Sequence, residues 1–208
     1  IPAGAYGRFI TDTGRVVLMD FPHSTLSLLG RQLEINLMKE GYRSELNMLQ
    51  PEEVVEVISL LATLLRMEYL RSTKTNSNTA VVQKDSDLLH EMSKHISGGR
   101  DIVTVVCETM DYFMQDELAM AEEAAVNVVT ACVKFLDAIV PVQPSRVWSY
   151  LARSELLSSD SRAGKLAKIT GTLDLVSERF NFLMSSLSFF SGLIDTAMHS
   201  AVQRRAGN

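Results

Sequence analysis

The stretch from Phe180 to Ala201 places apolar residues on two opposite sides of a predicted helix, and no other feature constrains the fold as strongly. One set recurs at helical spacing and comprises Leu183, Met184, Leu187, Phe190, Ile194, Met198 and Ala201. A second set, Phe182, Phe189 and Leu193, falls on the opposite side at about 100° per residue. A helix with two apolar sides needs a neighbour on each side, so the sequence predicts a stack of helices.

The two sides of this helix lead to different expectations. We expect the Leu187 side to pack against the preceding helix. The opposite side, formed by Phe182, Phe189 and Leu193, is the candidate partner-binding stripe. It is expected to stay uncovered because a following helix would lie beyond the last residue of the chain. Trp148 is the only tryptophan and has apolar neighbours, so we predict that it is a core anchor.

Composition is that of a soluble globular chain with a continuous core. The 208 residues are 46% hydrophobic and 22% charged, with a net charge of −5. Because no block of Lys or Arg appears, we expect no nucleic-acid binding. The longest uncharged stretch, Phe180 to Ile194, is shorter than the roughly 20 residues that span a membrane, so burial in protein is expected. The chain begins at Ile1, which suggests an excerpt of a longer protein.

The N-terminal residues 1–23 are predicted to form a β-hairpin element. β-Branched and aromatic residues flank Asp12-Thr13-Gly14, which suits a tight turn, and Pro22 is expected to end the second strand. A lone hairpin is marginally stable in water, so it must pack on helices or belong to a larger β unit.

Residues 24–208 are predicted to be an α-helical segment. Helices are expected to start at Ser24, Pro51, Asp85 or Asp87, Asp101, near Asp116 and at Pro144, followed by a long pair that breaks near residues 177–179. Residues 72–84 are polar and unpatterned and are predicted to be a flexible surface loop. Short connections without a strict repeat favour an all-α fold, an irregular α-solenoid of HEAT/armadillo-like hairpins.

Motifs for catalysis or metal binding are not found in the sequence. His90 and His95 are five residues apart, about 140° around a helix, whereas a zincin needs a spacing of four. Cys107 and Cys132 lie within apolar helical patterns and are expected to be buried free thiols. We therefore predict no enzyme activity, no cofactor and no metal site. The ten methionines favour adaptable core packing, or alternatively a Met- and Phe-lined groove for a partner's helix.

Three segments resemble a known family: residues 147–157, residues 164–169 and residues 173–183. They read Val147-Trp-Ser-Tyr-Leu-Ala-Arg-Ser-Glu-Leu-Leu, then Gly164-Lys-Leu-Ala-Lys-Ile, then Leu173-Asp-Leu-Val-Ser-Glu-Arg-Phe-Asn-Phe-Leu. The combination is similar to the large inner-ring scaffold nucleoporins of the nuclear pore complex. It is most similar to the fungal nucleoporin 188 branch, which is related to the nucleoporin 192/205 family. Residues 40–140 contribute only helix periodicity.

The resemblance implies a structural, non-enzymatic scaffold protein at the nuclear envelope. It implies binding to linker nucleoporins and to Phe-Gly repeats, a role in protein and mRNA transport, and no direct membrane span. It also implies that the N-terminal hairpin is an edge of an SH3-like insertion in the solenoid. The alternative is a helical-repeat soluble transport receptor or trafficking adaptor. Binding of Phe-Gly peptides would not separate the two classes, whereas stable co-purification with inner-ring components would.

Overall fold

A computed structural model describes residues 15–38, 49–75, 86–115, 123–154, 174 and 179–206. This part of the chain forms seven helices and contains no strand: α1 Arg15–Leu37, α2 Pro51–Thr75, α3 Asp87–Ser93, α4 Ile102–Gln115, α5 Glu123–Ile139, α6 Pro144–Leu151 and α7 Asn181–Ala206. The predicted all-α class is confirmed, and the arrangement is consistent with a segment of a helical solenoid.

Helix α5 is the centre of the fold. Twelve of its 17 residues are buried, which means that it is enclosed on nearly every side. Helices α2, α4 and α7 all pack along it, and α6 contacts it near its end. Because α2 and α7 make no extensive contact with each other, they flank α5 and form a row in the order α2, α5, α7.

Helices α1, α3 and α4 pack together beside this row. Helix α1 packs on α3 and α4, and α4 in turn packs on α5. Among the described helices, the most extensive contacts join members that are not successive, as in α2–α5, α5–α7 and α1–α3. Contacts of this kind arise when helical pairs stack on one another. Stacking therefore accounts for more of the helix–helix contacts than the successive hairpins that the short connections predicted.

A buried carboxylate fixes α1 to the turn between α3 and α4. Glu34 is fully buried, and its oxygens accept hydrogen bonds from the Ser97 backbone N–H at 3.0 and 3.2 Å and from the Ser97 hydroxyl at 2.6 Å. Arg100 donates at 2.7 Å, and Arg31 on the same helix completes the set. Burial alone would raise the pKa of Glu34, but the hydrogen bonds from Ser97 and Arg31 together lower it below the ordinary value.

Two consecutive glycines give this turn its shape. Gly98 and Gly99 have φ angles of +69° and +70°, a left-handed conformation that costs glycine little and other residues more. The turn presents the Ser97 backbone and the Arg100 side chain to the same carboxylate. The positive-φ glycines therefore shape the turn through which α1 is bonded to the start of α4.

The helix ends are set by proline and by capping hydrogen bonds, and the sequence predicts only some of them. Pro51 occupies the first turn of α2, as predicted, and the Glu53 carboxylate accepts the Gln50 N–H at 2.8 Å. Asp101 caps α4 by accepting the Thr104 N–H at 2.9 Å, which also agrees with the prediction. Helix α3 is capped by Ser86 instead of Asp85 or Asp87, because the Ser86 hydroxyl reaches the Leu89 N–H.

The predicted N-terminal β-hairpin is wrong where the structure describes it. Helix α1 begins at Arg15 and continues through Pro22, so residues 15–23 are helical. Ser24 lies inside the helix and not at its start. The first 14 residues lie outside the described part. Residues 15–23 extend a helix whose later turns are anchored by buried Leu26 and Leu33, and this tertiary anchoring outweighs their β propensity.

The first residues of the predicted loop at residues 72–84 are helical instead. Helix α2 continues to Thr75, so residues 72–75 are helical, and residues 76–84 lie outside the described part. Within the described residues, no helix combines the length and the apolar character needed to cross a membrane.

Two helical glycines provide a matched test of the packing. A methyl group at Gly30 would be driven onto the carbonyl oxygen of Met92, where α1 crosses α3, whereas one at Gly192 would make only ordinary contacts at 3.6 and 3.7 Å. We predict that Gly30→Ala lowers the free energy of unfolding by roughly 1–3 kcal/mol. Gly192→Ala should leave it unchanged or raise it by up to about 1 kcal/mol. Denaturant titration measures both, and equal effects would contradict the described α1–α3 crossing.

Candidate partner-binding surfaces

The first turn of helix α7 is capped by a side chain that precedes it in sequence. The buried Asp174 carboxylate accepts the Leu183 N–H at 2.6 Å, satisfying a backbone group in the first turn. Phe180, directly before the helix, has a φ angle of +31°, which is uncommon for a residue other than glycine. The start of α7 at Asn181 lies two residues after the predicted break at residues 177–179, and residues 175–178 lie outside the described part.

The inner face of α7 is the one that the sequence predicts to be uncovered. Phe182, Phe189 and Leu193 are buried, and the helix packs along α5. The prediction that these residues form an exposed partner-binding stripe is therefore wrong. Phenylalanine rings bury large apolar areas, and the small Ser185 and Ser186 on the same face allow the helices to approach closely.

The opposite face of α7 carries an exposed apolar surface, which we call the outer α7 stripe. The stripe consists of Phe180, directly before the helix, and of Met184, Leu187, Ile194 and Met198 within it. These residues are three or four positions apart, except that Ser191 occupies the position between Leu187 and Ile194. The side chains of Met184, Leu187, Ile194 and Met198 are 63%, 55%, 56% and 61% exposed. Between Met184 and Met198, which both lie within α7, the stripe is about 21 Å long at 1.5 Å per residue, or about four turns of a helix.

One carboxylate links all three helices of the row. Asp137 on α5 accepts a hydrogen bond from Arg66 of α2 at 2.5 Å and one from the Ser188 hydroxyl of α7 at 3.1 Å. Both bonds reach the same oxygen, Oδ2. The bond to Ser188 lies at the edge of the α5–α7 contact, and burial of Phe182 and Phe189 at that contact sets the direction in which the outer α7 stripe faces.

Trp148 lies at the surface, so the prediction that it is a core anchor is wrong. Its side chain is 43% exposed, whereas Val147 and Leu151 form the buried side of α6. Val147 and Leu151 are one turn apart on the same face, and Trp148 is rotated by about 100° from Val147. A helix of eight residues buries a single face, and the larger ring is not on it.

A groove of about 430 Å³ runs between α4 and α6. Its lining combines apolar, aromatic and charged side chains: Val103, Thr104, Cys107, Glu108, Asp111, Ser145, Arg146, Ser149, Tyr150, Arg153 and Ser154. The Tyr150 hydroxyl donates to Asp111 at 2.6 Å across the groove. Burial, followed by this hydrogen bond, raises the pKa of Tyr150, so the phenol stays protonated. No pattern in the sequence indicated this groove, because α4 and α6 meet only in the fold.

The two cysteines are buried free thiols, as expected. Burial raises the pKa of both Cys107 and Cys132, so neither forms a reactive thiolate near neutral pH. Among the described residues, no group of three or more His, Cys, Asp or Glu side chains is arranged to hold a metal ion. The outer α7 stripe and the α4–α6 groove are surfaces suited to binding a protein or peptide.

The family model "Nucleoporin Nup188, N-terminal subdomain III" matches residues 16–206 of this chain. The chain belongs to the Nup188 family of nucleoporins. Nucleoporin NUP188 of Chaetomium thermophilum is 41% identical over 208 residues, which is all of this chain and 11% of that protein. Nucleoporin nup184 of Schizosaccharomyces pombe is 21% identical over 134 residues, which covers 62% of this chain and 8% of that protein.

Membership of the Nup188 family confirms the resemblance drawn from residues 147–183 and extends it over nearly the whole chain. Nup188 homologues are components of the nuclear pore complex, which lies at the nuclear envelope. The chain spans about a tenth of the length of these relatives. Membership of this family also supports a structural protein instead of an enzyme.

The two faces of α7 can be distinguished by a pair of truncations two residues apart. Phe189→Ala should lower the free energy of unfolding by roughly 3–5 kcal/mol, because it removes a fully buried ring at the α5–α7 contact. Leu187→Ala removes a half-exposed side chain and should cost less than about 1 kcal/mol. Chemical denaturation measures both variants. A larger loss for Leu187→Ala than for Phe189→Ala would show that α7 is rotated from the orientation described here.

Proposed function

We propose that this chain is a non-catalytic scaffold segment of the inner ring of the nuclear pore complex. The observation that carries the proposal is the row α2–α5–α7, in which the central helix is enclosed and the outward face of α7 is apolar. A row of this kind can be extended by further helices at its side, as in a solenoid. Its role is to supply rigid surface on which other nucleoporins assemble, and thereby to support nucleocytoplasmic transport.

Helix α2, on the other side of the row, also supports an extended scaffold. Leu60, Met67 and Leu70 are exposed, whereas Val54, Ile58, Leu61 and Leu65 of the same helix are buried. Both flanking helices thus carry apolar residues on faces that α5 does not cover. Scattered exposed apolar residues are ordinary, but two aligned sets on the flanks of one row favour an extended scaffold.

We further propose that linker nucleoporins bind in the α4–α6 groove. Tyr and Arg are enriched among the residues that dominate protein interfaces, and the groove contains Tyr150, Arg146 and Arg153. Its apolar floor at Val103 suits a side chain of the bound segment, and its mixed charges suit a polar peptide rim. Phe-Gly repeats are the other candidate occupant of the same floor.

Family membership favours a pore scaffold over a helical-repeat transport receptor or trafficking adaptor. The two classes differ in how long they stay bound to the pore. A scaffold remains bound to inner-ring components through purification, whereas a receptor or adaptor dissociates. Stable co-purification of the full-length protein with inner-ring nucleoporins therefore tests the class.

A matched pair of charge reversals tests the groove. In the full-length protein, Arg153→Glu should weaken binding of inner-ring linker nucleoporins by about tenfold or more, as expected for an interface anchor. Arg179→Glu is the control, because the ion pair of Arg179 among the described residues is with exposed Glu123 and contributes little. Affinities are measured with purified linker segments and, separately, with Phe-Gly peptides. Wild-type affinity of Arg153→Glu for the linkers would refute the groove as their site, and a loss confined to Phe-Gly peptides would assign it to the repeats.

A further inference from the structure

The α4–α6 groove continues past Arg146 into a second cavity. This cavity, of about 590 Å³, lies between α3 and the beginnings of α4 and α6, and its lining includes Asp87, His90 and Gln143. Val103 and Arg146 line both cavities. The two cavities therefore adjoin, and we call the continuous depression from α3 to the end of α6 the α3–α6 trench.

The trench is too narrow to admit a helix, but it is open to an extended chain. Arg146 of α6 pairs with Asp101 at the start of α4, and the Tyr150 hydroxyl donates to Asp111 at 2.6 Å. Because these side chains meet directly, α4 and α6 leave no gap between them for a third helix, whose diameter with side chains is about 10–12 Å. An extended segment is one chain thick and can lie over both contacts. The shape of the trench therefore favours an extended occupant.

Most carboxylate and guanidinium groups in the trench already have a partner within the fold. These pairs are Asp101 with Arg146, Glu108 with Arg100, Asp111 with Tyr150 and Glu91 with Lys94. Two exposed groups are the exceptions. Arg153 donates to the Ser149 carbonyl oxygen of its own helix at 3.0 Å and pairs with no carboxylate of the described residues. Asp87 likewise forms no ion pair within the part of the chain that the structure describes.

The two groups without an ionic partner lie at opposite ends of the trench and have opposite charges. Arg153 lines the groove and Asp87 lines the second cavity, whereas Arg146 borders both. Along α6, Arg146 and Arg153 are about 10 Å apart, which corresponds to about three residues of an extended chain. Because Asp87 lies beyond Arg146, a segment that pairs with both ends carries its two charges at least about three positions apart. Such charge complementarity fixes the register of a bound chain.

We infer that the α3–α6 trench binds one extended segment of a linker nucleoporin, with an acidic residue at Arg153 and a Lys or Arg at Asp87. An apolar side chain between these two charges covers Val103, the buried residue that both cavities share. The inference rests on the proposed binding of linkers in the groove, and it adds the second cavity, the extended conformation and the order of the charges. A Phe-Gly repeat does not match the trench, because neither of its residues is charged.

Photo-crosslinking in the full-length protein tests whether one segment crosses both cavities. A photo-crosslinking residue is placed at Ser149 in the groove, at His90 in the second cavity or, as a control, at exposed Glu52 of α2. Purified linker segments are added, and mass spectrometry identifies the crosslinked residues. We expect positions 149 and 90 to crosslink to the same linker stretch, at residues at least about three positions apart. Position 52 should give no linker crosslink.

The other crosslinking results separate this inference from the proposed groove. Linker crosslinks from position 149 without any from position 90 would leave the groove as a binding site and overturn the trench. Crosslinks to two separate linker segments would also overturn it, because each cavity would then have its own occupant. Linker crosslinks from neither position, or crosslinks confined to this chain itself, would refute both the groove and the trench.

A charge swap tests the end of the trench that the groove does not include. Asp87→Lys should weaken linker binding by about threefold to tenfold, because it replaces the attracting charge with a repelling one. Glu52→Lys is the matched control, since it also replaces an acid in the first turn of a helix but lies outside both cavities, and it should change binding by less than about twofold.

Rescue by the linker distinguishes recognition of a charge from a structural role of Asp87. The Lys or Arg of the linker that lies beside the residue crosslinked from position 90 is changed to Glu. This linker variant should bind Asp87→Lys more tightly than it binds the unchanged protein. Equal effects of Asp87→Lys and Glu52→Lys on linker affinity, or a loss that the linker variant does not rescue, would overturn the inference.

Discussion

The structure depends on the enclosure of α5, a helix that is apolar on almost every side. Such a helix is stable only when neighbours remove each of its faces from water, because its hydrophobic gain is proportional to the area buried. Helices α2, α4 and α7 supply those neighbours, and α5 thereby fixes which face of each one is turned inward. The outward faces of α2 and α7, where the exposed apolar residues lie, are a consequence of that enclosure.

Polar groups then select one arrangement among the many that apolar packing would allow. The buried Glu34 carboxylate is satisfied only if α1 meets the turn that carries Ser97 and Arg100. Asp137 is shared by Arg66 and Ser188 only if α2 and α7 lie in register on α5. A buried charge without its partners is costly, so the fully buried Glu34 carboxylate specifies register more than it adds stability. Asp137 is only partly buried and contributes less to this selection.

The sequence predicted the helices better than their orientations. Periodicity identified the two apolar sides of α7 and the start of α6 at Pro144, because both are local properties of the chain. It could not decide which side of α7 meets α5, since Phe189 and Leu187 are both apolar and only the tertiary contact distinguishes them. The exposure of Trp148 and the groove at Tyr150 were not predictable for the same reason, because each depends on helices that are distant in sequence.

Native-state hydrogen exchange of the full-length protein tests the central role of α5 most directly. If α5 is enclosed as described, its amides from Val128 to Leu136 should be the slowest to exchange among the seven helices and should open only with global unfolding of the segment. The short surface helix α6 should exchange faster. Exchange of α5 at a rate equal to that of α6 would contradict the account, because the row α2–α5–α7 would then lack its stable centre.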